Sequence, residues 1–243
     1  DALSIGGNHL IHALRRNVNL KILLFNNRIY GLTKGQYSPT SEIGKITKST
    51  PMGSLDAPFN PLSLAIGAEA TFVARTIDSD RKHLTGVLRA AAEHPGTALV
   101  EIYQNCNIFN DGAFEALKDK EQATEAVIRL EHGQPILFGA DNTKGVIRDP
   151  ATGHLQVVTV TDTNRPHILI HDAHDQSPTT AFALTRLTDP DTLHHTPIGV
   201  LRNTQRPVYD TLMTNQMDTA IQHHGKGDLG ALLAGNDTWT VVG

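Results

Sequence analysis

The first hundred residues alternate between two patterns of apolar positions. Apolar residues at helical spacing predict helices over residues 5–16, 61–70 and 79–93. Short apolar runs between polar residues predict strands over residues 20–25, 71–74 and 98–103. The run over residues 20–25 has the composition of a fully buried parallel strand. Because strands alternate with helices, the sequence indicates an α/β fold with a parallel sheet and flanking helices.

The pattern changes after residue 105 and becomes rich in strands and turns. Residues 124–130 and 155–160 have strand patterns, and residues 149–153 have the composition of a hairpin turn. Helices are predicted over residues 179–187 and 208–223, followed by a tail over residues 230–243. We therefore predict two units, residues 1–105 and a β-rich C-terminal extension over residues 106–243.

Composition excludes several classes of protein. The chain has 243 residues and a formal net charge of −4, which does not fit a nucleic-acid-binding protein. No apolar run reaches the ~18 residues that a membrane span requires. One cysteine, Cys106, excludes a disulfide framework, so we expect a cytoplasmic protein. The chain opens on Asp1 almost directly before a helix, from which we expect an N-terminally truncated sequence.

A polar loop that follows the first strand carries the strongest chemical signal. Asn26 and Asn27 stand at the carboxyl end of that strand, where parallel sheets bind ligands. An asparagine amide oxygen suits Mg²⁺ bound beside phosphates, and the carbonyl of Ile29 offers a second oxygen. The alternative is that the asparagine pair makes an ordinary turn.

The residues after the pair extend the same chemistry. Gly31 permits close approach of the backbone to a ligand. Thr33 adds a hydroxyl and Lys34 a cation, and the helix that begins near Gly6 offers free N–H groups to an anion. Together they predict a site for a diphosphate with Mg²⁺.

Longer stretches of the chain resemble a known family. The stretches are DALSIGGNHLIHALRRN at residues 1–17, LLFNNRIYGLTKGQ at 23–36, SPTS at 38–41, KSTPMG at 48–53 and VEIYQNC at 100–106. They resemble the β subunit of 2-oxoacid:ferredoxin oxidoreductases, and most of all the actinobacterial 2-oxoglutarate type. In that family a Gly-Asp-Gly triplet opens the thiamine diphosphate motif, and the resemblance implies that this triplet precedes Asp1.

The resemblance implies a role for each residue of the loop. Asn27 would bind Mg²⁺ through its side chain and Ile29 through its carbonyl. Gly31, Leu32 and Thr33 would contact the cofactor, as would the backbone of Asp1. Lys34 would bind the carboxylate of the 2-oxoacid or stabilise developing charge. The alternative for Lys34 is a solvated loop lysine.

The resemblance also assigns Cys106. A single cysteine is in general more often an inert core thiol than a ligand. In the family, however, the cysteine after this strand is the fourth ligand of a [4Fe–4S] cluster, whose other three thiolates lie upstream of this chain.

The remaining polar clusters are weaker candidates. Lys82 matches a family lysine but lies in a helical run of charged residues, so we favour a solvent-exposed role. His9 and His12 share one helix face, and three further histidines lie close together at His167, His171 and His174. A zinc site would require convergent ligands, which sequence does not reveal, so we do not favour either group.

The implied activity is oxidative decarboxylation of a 2-oxoacid, with coenzyme A as acyl acceptor and ferredoxin as electron acceptor. The catalytic glutamate would belong to a partner α subunit, so the active site would lie between the two subunits. Two alternatives are a non-oxidative thiamine-diphosphate-dependent decarboxylase, which would not need Cys106, and a non-catalytic docking fragment.

Overall fold

The computed structural model describes residues 2–32, 34–241 and 243. Helices alternate with the three longer strands up to residue 103, as the apolar pattern predicts, and two short strands lie between the first of these strands and the second helix. The helices are α1 (Gly7–Arg16), α2 (Pro61–Gly67), α3 (Arg81–Glu93), α4 (Lys120–Ala126), α5 (Thr179–Thr185), α6 (Tyr209–His224) and α7 (Leu229–Ala234). The strands are β1 (Lys21–Asn26), β2 (Ile29–Tyr30), β3 (Gln36–Tyr37), β4 (Phe72–Ile77), β5 (Ala98–Tyr103), β6 (Val127–Leu130), β7 (Leu137–Phe138), β8 (Lys144–Arg148), β9 (Leu155–Thr159) and β10 (Thr196–Asn203).

A five-stranded sheet with the order β1-β5-β4-β10-β6 forms the centre of the fold. β1, β5 and β4 run parallel, which confirms the predicted α/β fold. β10 pairs antiparallel to β4, and β6 pairs parallel to β10. Two strands from beyond residue 105 therefore complete the sheet of the first unit. The boundary at residue 105 stays a prediction.

Helices cover both faces of this sheet. Successive side chains of a strand point to opposite faces, so Val73 and Ala74 belong to different layers. Val73 packs with buried residues of α1, α2 and α5. Ala74 packs with Val87 and Ala91 of α3. The outcome is a three-layer α/β/α arrangement whose strand ends meet at one edge.

The end of α1 is fixed by a buried asparagine. Asn17 adopts a left-handed conformation (φ 56°) and is fully buried. Its Oδ1 accepts hydrogen bonds from Thr71 Oγ1 and from the N–H of Thr97, both at 2.9 Å. A Cβ at Gly96 (φ +92°) would overlap the Asn17 amide, so this turn requires glycine. The amide thereby aligns α1 with the starts of β4 and β5.

The burial of β1 differs from the prediction. The apolar run at residues 20–25 was expected to form a fully buried strand, but β1 lies at the edge of the sheet. Leu23 and Phe25 are 43% and 56% exposed. Ile22 and Leu24, which point to the other face, pack against the core beneath α1. The strand is therefore covered on one face and partly open on the other.

The extension combines strands with helices. The predicted hairpin forms between β8 and β9, which pair antiparallel. Residues 124–126, expected to begin a strand, instead end α4, because the Asp119 side chain caps that helix by accepting from the N–H groups of Glu121 and Gln122. Residues 230–234, at the start of the expected tail, belong to the helix α7. Within the described residues, no helix has both the length and the apolar character to cross a membrane.

Candidate functional site

The carboxyl ends of β1, β4 and β5 meet at one edge of the sheet. Asn26 stands opposite Tyr103 in the register of β1 and β5, and the backbone N–H of Gln104 donates to the Asn26 carbonyl at 3.1 Å. Asn27 follows β1 directly, and Cys106 follows β5 by three residues. The fold thus brings the loops of the two strongest sequence candidates to the same edge.

The two asparagines have different environments. Asn26 is buried: its Nδ2 donates to Glu101 Oε1 at 2.8 Å, and its Oδ1 accepts from Thr40 Oγ1 at 2.7 Å. Asn27 is half-buried, and its Oδ1 accepts the N–H of Ile29 at 3.3 Å. This contact is the side-chain turn that the alternative interpretation expected. An amide oxygen has two lone pairs, so the turn leaves one of them for a ligand.

Glu101, which accepts a hydrogen bond from Asn26, belongs to a buried ion pair. Arg75 Nε donates to Glu101 Oε2 at 2.7 Å, with 2% and 1% of the two side chains exposed. The Arg75 guanidinium also lies 4.9 Å from the centroid of the Tyr103 ring. Burial raises the pKa of Tyr103 to about 12, against the opposing effect of Arg75. The glutamate is thus shared between a cation and the asparagine at the start of the loop.

The ion pair of Arg75 and Glu101 was not predicted, although the sequence places a charged residue inside an apolar strand. Glu101 lies in the middle of an apolar strand, and Arg75 lies in the strand beside it, where the two are direct partners. A charge inside a buried strand requires a partner of the opposite sign. The sequence signal was incomplete, because the predicted strand ended at residue 74, one residue before Arg75.

The loop of Cys106 is joined to the loop of Asn27 by one side chain. Asn110 donates its backbone N–H to the Cys106 carbonyl at 2.8 Å. Its Nδ2 donates to the Asn27 carbonyl at 2.9 Å, and its Oδ1 accepts from Lys45 Nζ at 2.5 Å. Cys106 itself is half-buried and free of disulfide bonding. Sequence reasoning did not predict Asn110, because these contacts connect segments distant along the chain.

Gly31, Leu32, Lys34 and Gly35 lie beside the same junction. The Phe109 ring would stand 3.7 Å from a Cβ at Gly31 and 3.0 Å from one at Gly35. Leu32 is 93% exposed, and Lys34 is exposed with a left-handed backbone (φ 65°). A cavity of about 570 Å³ opens here, and Lys34, Lys45 and Lys48 line it. Three lysines make it attractive to an anion.

Other sequence candidates contribute less. Asp1 and Thr33 lie outside the described residues. Lys82 is exposed, in agreement with the solvent-exposed role that we favoured. Across the part of the chain that the structure describes, no group of three or more His, Cys, Asp or Glu side chains is arranged to hold a metal ion.

Comparison with known proteins first defines the class of the domain. Residues 1–102 match the model of the thiamine pyrophosphate enzyme family, C-terminal TPP binding domain. The matched region contains β1, β4, the Asn27 loop and all of β5 except its last residue. The domain is thus similar to the thiamine-pyrophosphate-binding domains of that family, and the α/β fold agrees with the prediction.

Individual relatives then define the family. The chain is 60% identical over 243 residues, or 99% of its length, to the 2-oxoglutarate oxidoreductase subunit KorB of Mycobacterium tuberculosis. It is 41% identical over 131 residues to the 2-oxoacid:ferredoxin oxidoreductase subunit β of Saccharolobus solfataricus, covering 54% of this chain and 41% of that protein. The chain is thus similar to the β subunits of the 2-oxoacid:ferredoxin oxidoreductases.

A solved structure supports the same conclusion. It is the 2-oxoglutarate:ferredoxin oxidoreductase from Magnetococcus marinus with 2-oxoglutarate, coenzyme A and succinyl-CoA bound. The TM-score is 0.65 at 27% sequence identity, covering 96% of this chain and 63% of that chain. The chain likewise spans 64% of the length of the mycobacterial subunit.

Proposed function

We propose that this chain is the part of a 2-oxoglutarate:ferredoxin oxidoreductase β subunit that binds thiamine diphosphate with Mg²⁺ and supplies one ligand of a [4Fe–4S] cluster. The reaction is the coenzyme-A-dependent oxidative decarboxylation of a 2-oxoacid, with electrons passing to ferredoxin. Support comes from the mycobacterial and archaeal relatives and from the chemistry of the side chains at the sheet edge.

The residues of the Asn27 loop fit the metal and the diphosphate. Asn27 Oδ1 has a free lone pair and, with the Ile29 carbonyl, would provide hard oxygen ligands of the kind that Mg²⁺ prefers. Gly31 and Leu32, with Asp1 and Thr33, would contact the diphosphate. Thiamine diphosphate supplies the nucleophilic carbon and takes up the electrons of the broken carbon–carbon bond.

Lysines would bind the anionic substrate. Lys34 is exposed at the cavity that it shares with Lys45 and Lys48. A positioned ammonium there would bind the carboxylate of the 2-oxoacid and stabilise negative charge that develops on it. Lys45 is already engaged with Glu42 at 3.0 Å, which leaves Lys34 and Lys48 more available to a ligand.

The observation that carries the proposal is the Asn110 bridge. A metal-binding residue and a cluster-binding residue serve one electron-transfer reaction only if their loops are held close together. Asn110 connects them directly, through its Nδ2 to Asn27 and its backbone N–H to Cys106. A non-oxidative decarboxylase has no need of a thiol at this position. An iron–sulfur cluster requires four thiolates, so the other three would come from the rest of the full-length subunit.

A partner α subunit would complete the site and supply the catalytic glutamate. Large apolar side chains around the loops are exposed, among them Leu32, Met52 and Leu55, each above 90%. Large apolar side chains that are exposed in an isolated subunit are often covered at an interface with a partner protein. Ferredoxin would be the second protein partner, and a reducing cytoplasm would suit the cluster.

The test uses the full-length β subunit, produced anaerobically with its α subunit. We expect 2-oxoglutarate- and coenzyme-A-dependent reduction of a low-potential dye that requires added thiamine diphosphate and Mg²⁺. Asn27→Ala should lower cofactor affinity sharply, and Cys106→Ser should alter the electron paramagnetic resonance signal of the cluster. Lys34→Ala should raise the KM for the 2-oxoacid or lower kcat. Asn215→Ala, on the exposed face of α6, is the matched control.

Each contrary result has a defined meaning. Decarboxylation without dye reduction would favour the non-oxidative alternative. Absence of cofactor binding in the wild-type complex would favour the docking fragment. Unchanged kinetics in Lys34→Ala would return that residue to the role of a solvated lysine.

A further inference from the structure

A second cavity is lined by Asn26, at the carboxyl end of β1, and by residues of the loop that follows it. Its volume is about 390 Å³, compared with about 570 Å³ for the cavity at Lys34. Its lining includes Arg28, Arg75 and Arg186, with Thr40, Thr188 and the ring of Phe59. Cationic and hydroxyl groups on the walls of a cavity of this size are the features of a binding site for an anion.

Arg28 is the central residue of this cavity. Only 9% of its surface is exposed, although an arginine buried to this extent normally has a partner of the opposite charge. Within residues 2–32, 34–241 and 243, no carboxylate oxygen lies within 4.0 Å of its guanidinium. Its one protein hydrogen bond there is from Nη2 to the Pro190 carbonyl at 3.4 Å, and it lies 5.4 Å from the centroid of the Phe114 ring. The positive charge of Arg28 is therefore largely removed from water, and no carboxylate contacts it among the described residues.

The backbone holds Arg28 in a strained conformation. Its φ is 57°, which is uncommon for a residue other than glycine, asparagine or aspartate. Two hydrogen bonds fix this conformation: the Arg28 N–H donates to Asn26 Oδ1 at 3.2 Å, and Ser41 Oγ donates to the Arg28 carbonyl at 2.6 Å. Strain that the surroundings enforce is concentrated at ligand-binding positions.

The charges around the cavity do not cancel. Arg75 is neutralised by Glu101. Glu42, whose ionised form Arg28 favours, pairs with Lys45 at 3.0 Å. Arg28 and the exposed Arg186 therefore face the cavity with two positive charges and no paired carboxylate in the described part of the chain.

We propose that this cavity binds an oxyanion of a substrate, held by Arg28 with Arg186 at the rim and the hydroxyls of Thr40 and Thr188. Guanidinium groups bind carboxylates and phosphates through paired, charge-assisted hydrogen bonds. The inference rests on the proposed function, which provides two sources of such a group. One is the distal carboxylate of a dicarboxylic 2-oxoacid, and the other is a phosphate of coenzyme A.

The test compares substrates with and without each anion in the full-length αβ complex. The variants are Arg28→Gln, Arg28→Lys and Arg186→Gln. The control is Arg89→Gln, because Arg89 is exposed on the outer surface of α3. KM is measured for 2-oxoglutarate, for 2-oxovalerate, which lacks the distal carboxylate, and for coenzyme A. Titration calorimetry with glutarate and with adenosine 3′,5′-bisphosphate measures binding independently of turnover.

Loss of one charge-assisted contact should weaken binding roughly tenfold to a hundredfold. If the distal carboxylate occupies the cavity, Arg28→Gln raises the KM for 2-oxoglutarate and the dissociation constant of glutarate, and leaves 2-oxovalerate unchanged. If a phosphate occupies it, the KM for coenzyme A and the affinity for the bisphosphate change instead. Arg28→Lys should recover part of the loss, and Arg186→Gln should show the same selectivity more weakly.

The anion site would be refuted if the folded variants Arg28→Gln and Arg186→Gln bind both probes with wild-type affinity and have unchanged KM values. If Arg28→Gln does not fold, the exposed Arg186→Gln decides by the same criterion. A wild-type complex that reduces no dye but binds a probe in an Arg28-dependent way would refute the proposed function and retain the anion site.

Discussion

Replacement of Glu101 by glutamine tests whether the buried ion pair supports the site. Glu101→Gln preserves the shape of the side chain but leaves Arg75 as an uncompensated charge, with 2% of its side chain exposed. Removal of one partner of a buried pair costs about 3–5 kcal/mol. For a chain of this size, 1 kcal/mol corresponds to about 2–4 °C in Tm, so we expect Tm to fall by roughly 6–20 °C.

Scanning calorimetry of the full-length subunit measures this loss, with the exposed Glu93→Gln as the matched control. The double variant Arg75→Met, Glu101→Leu removes both charges and should be markedly more stable than Glu101→Gln. Asn26 Nδ2 loses a charged acceptor in Glu101→Gln, so cofactor affinity should also decrease. A loss below about 1 kcal/mol, or a double variant no more stable than the single one, would refute the reasoning.

Three further predictions concern individual side chains. Asn110→Ala removes the amide that joins the two loops, so it should broaden the electron paramagnetic resonance signal of the cluster and weaken thiamine diphosphate binding about tenfold. Burial raises the pKa of Tyr103 to about 12, so this tyrosine should ionise near pH 12 in an ultraviolet titration. Its contribution to stability, complete below about pH 10, is lost as the pH rises towards 12. Burial, assisted by Lys21, lowers the pKa of His94 below 6.5, so the free energy of unfolding should fall as the pH drops below 6.5, and less steeply in His94→Gln.

Each of these predictions has a contrary result. An unchanged cluster spectrum in Asn110→Ala would show that the loops are held together by other contacts. A Tyr103→Phe variant with the same ultraviolet titration above pH 11 as the wild type would contradict the assignment of the late transition. A pH dependence of unfolding that is identical in His94→Gln would assign acid sensitivity to other groups.

The sequence predicts elements well where local pattern decides them. The strand at residues 98–103 has the predicted bounds, because an apolar run between a turn at Gly96 and a polar segment has few alternatives. The position of β1 could not be predicted in the same way. Leu23 and Phe25 have the composition of buried strand residues, but burial depends on which elements cover them, and α3 covers the neighbouring strands instead.

The residues of the site show the same difference between what local sequence pattern predicts and what depends on packing. Asn27, Ile29 and Cys106 were identified from motifs, and the fold brings their loops to one edge, although their roles as ligands stay predictions. Asn110 and Arg28 emerge only from the tertiary structure, because their contacts depend on how distant loops pack. A motif marks residues that touch a ligand, whereas the residues that hold the motif in place have no fixed spacing.

The edge position of β1 has a consequence for handling the protein. Along its outer side, no strand pairs with β1 in the described residues, and Leu23 and Phe25 are partly exposed on one face of this strand. An apolar strand edge of this kind can template pairing with the same edge of a second molecule. Material of this length should therefore self-associate at high concentration through β1. The variant Phe25→Lys should suppress that association, because a charged side chain on an edge strand opposes edge-to-edge pairing of two molecules.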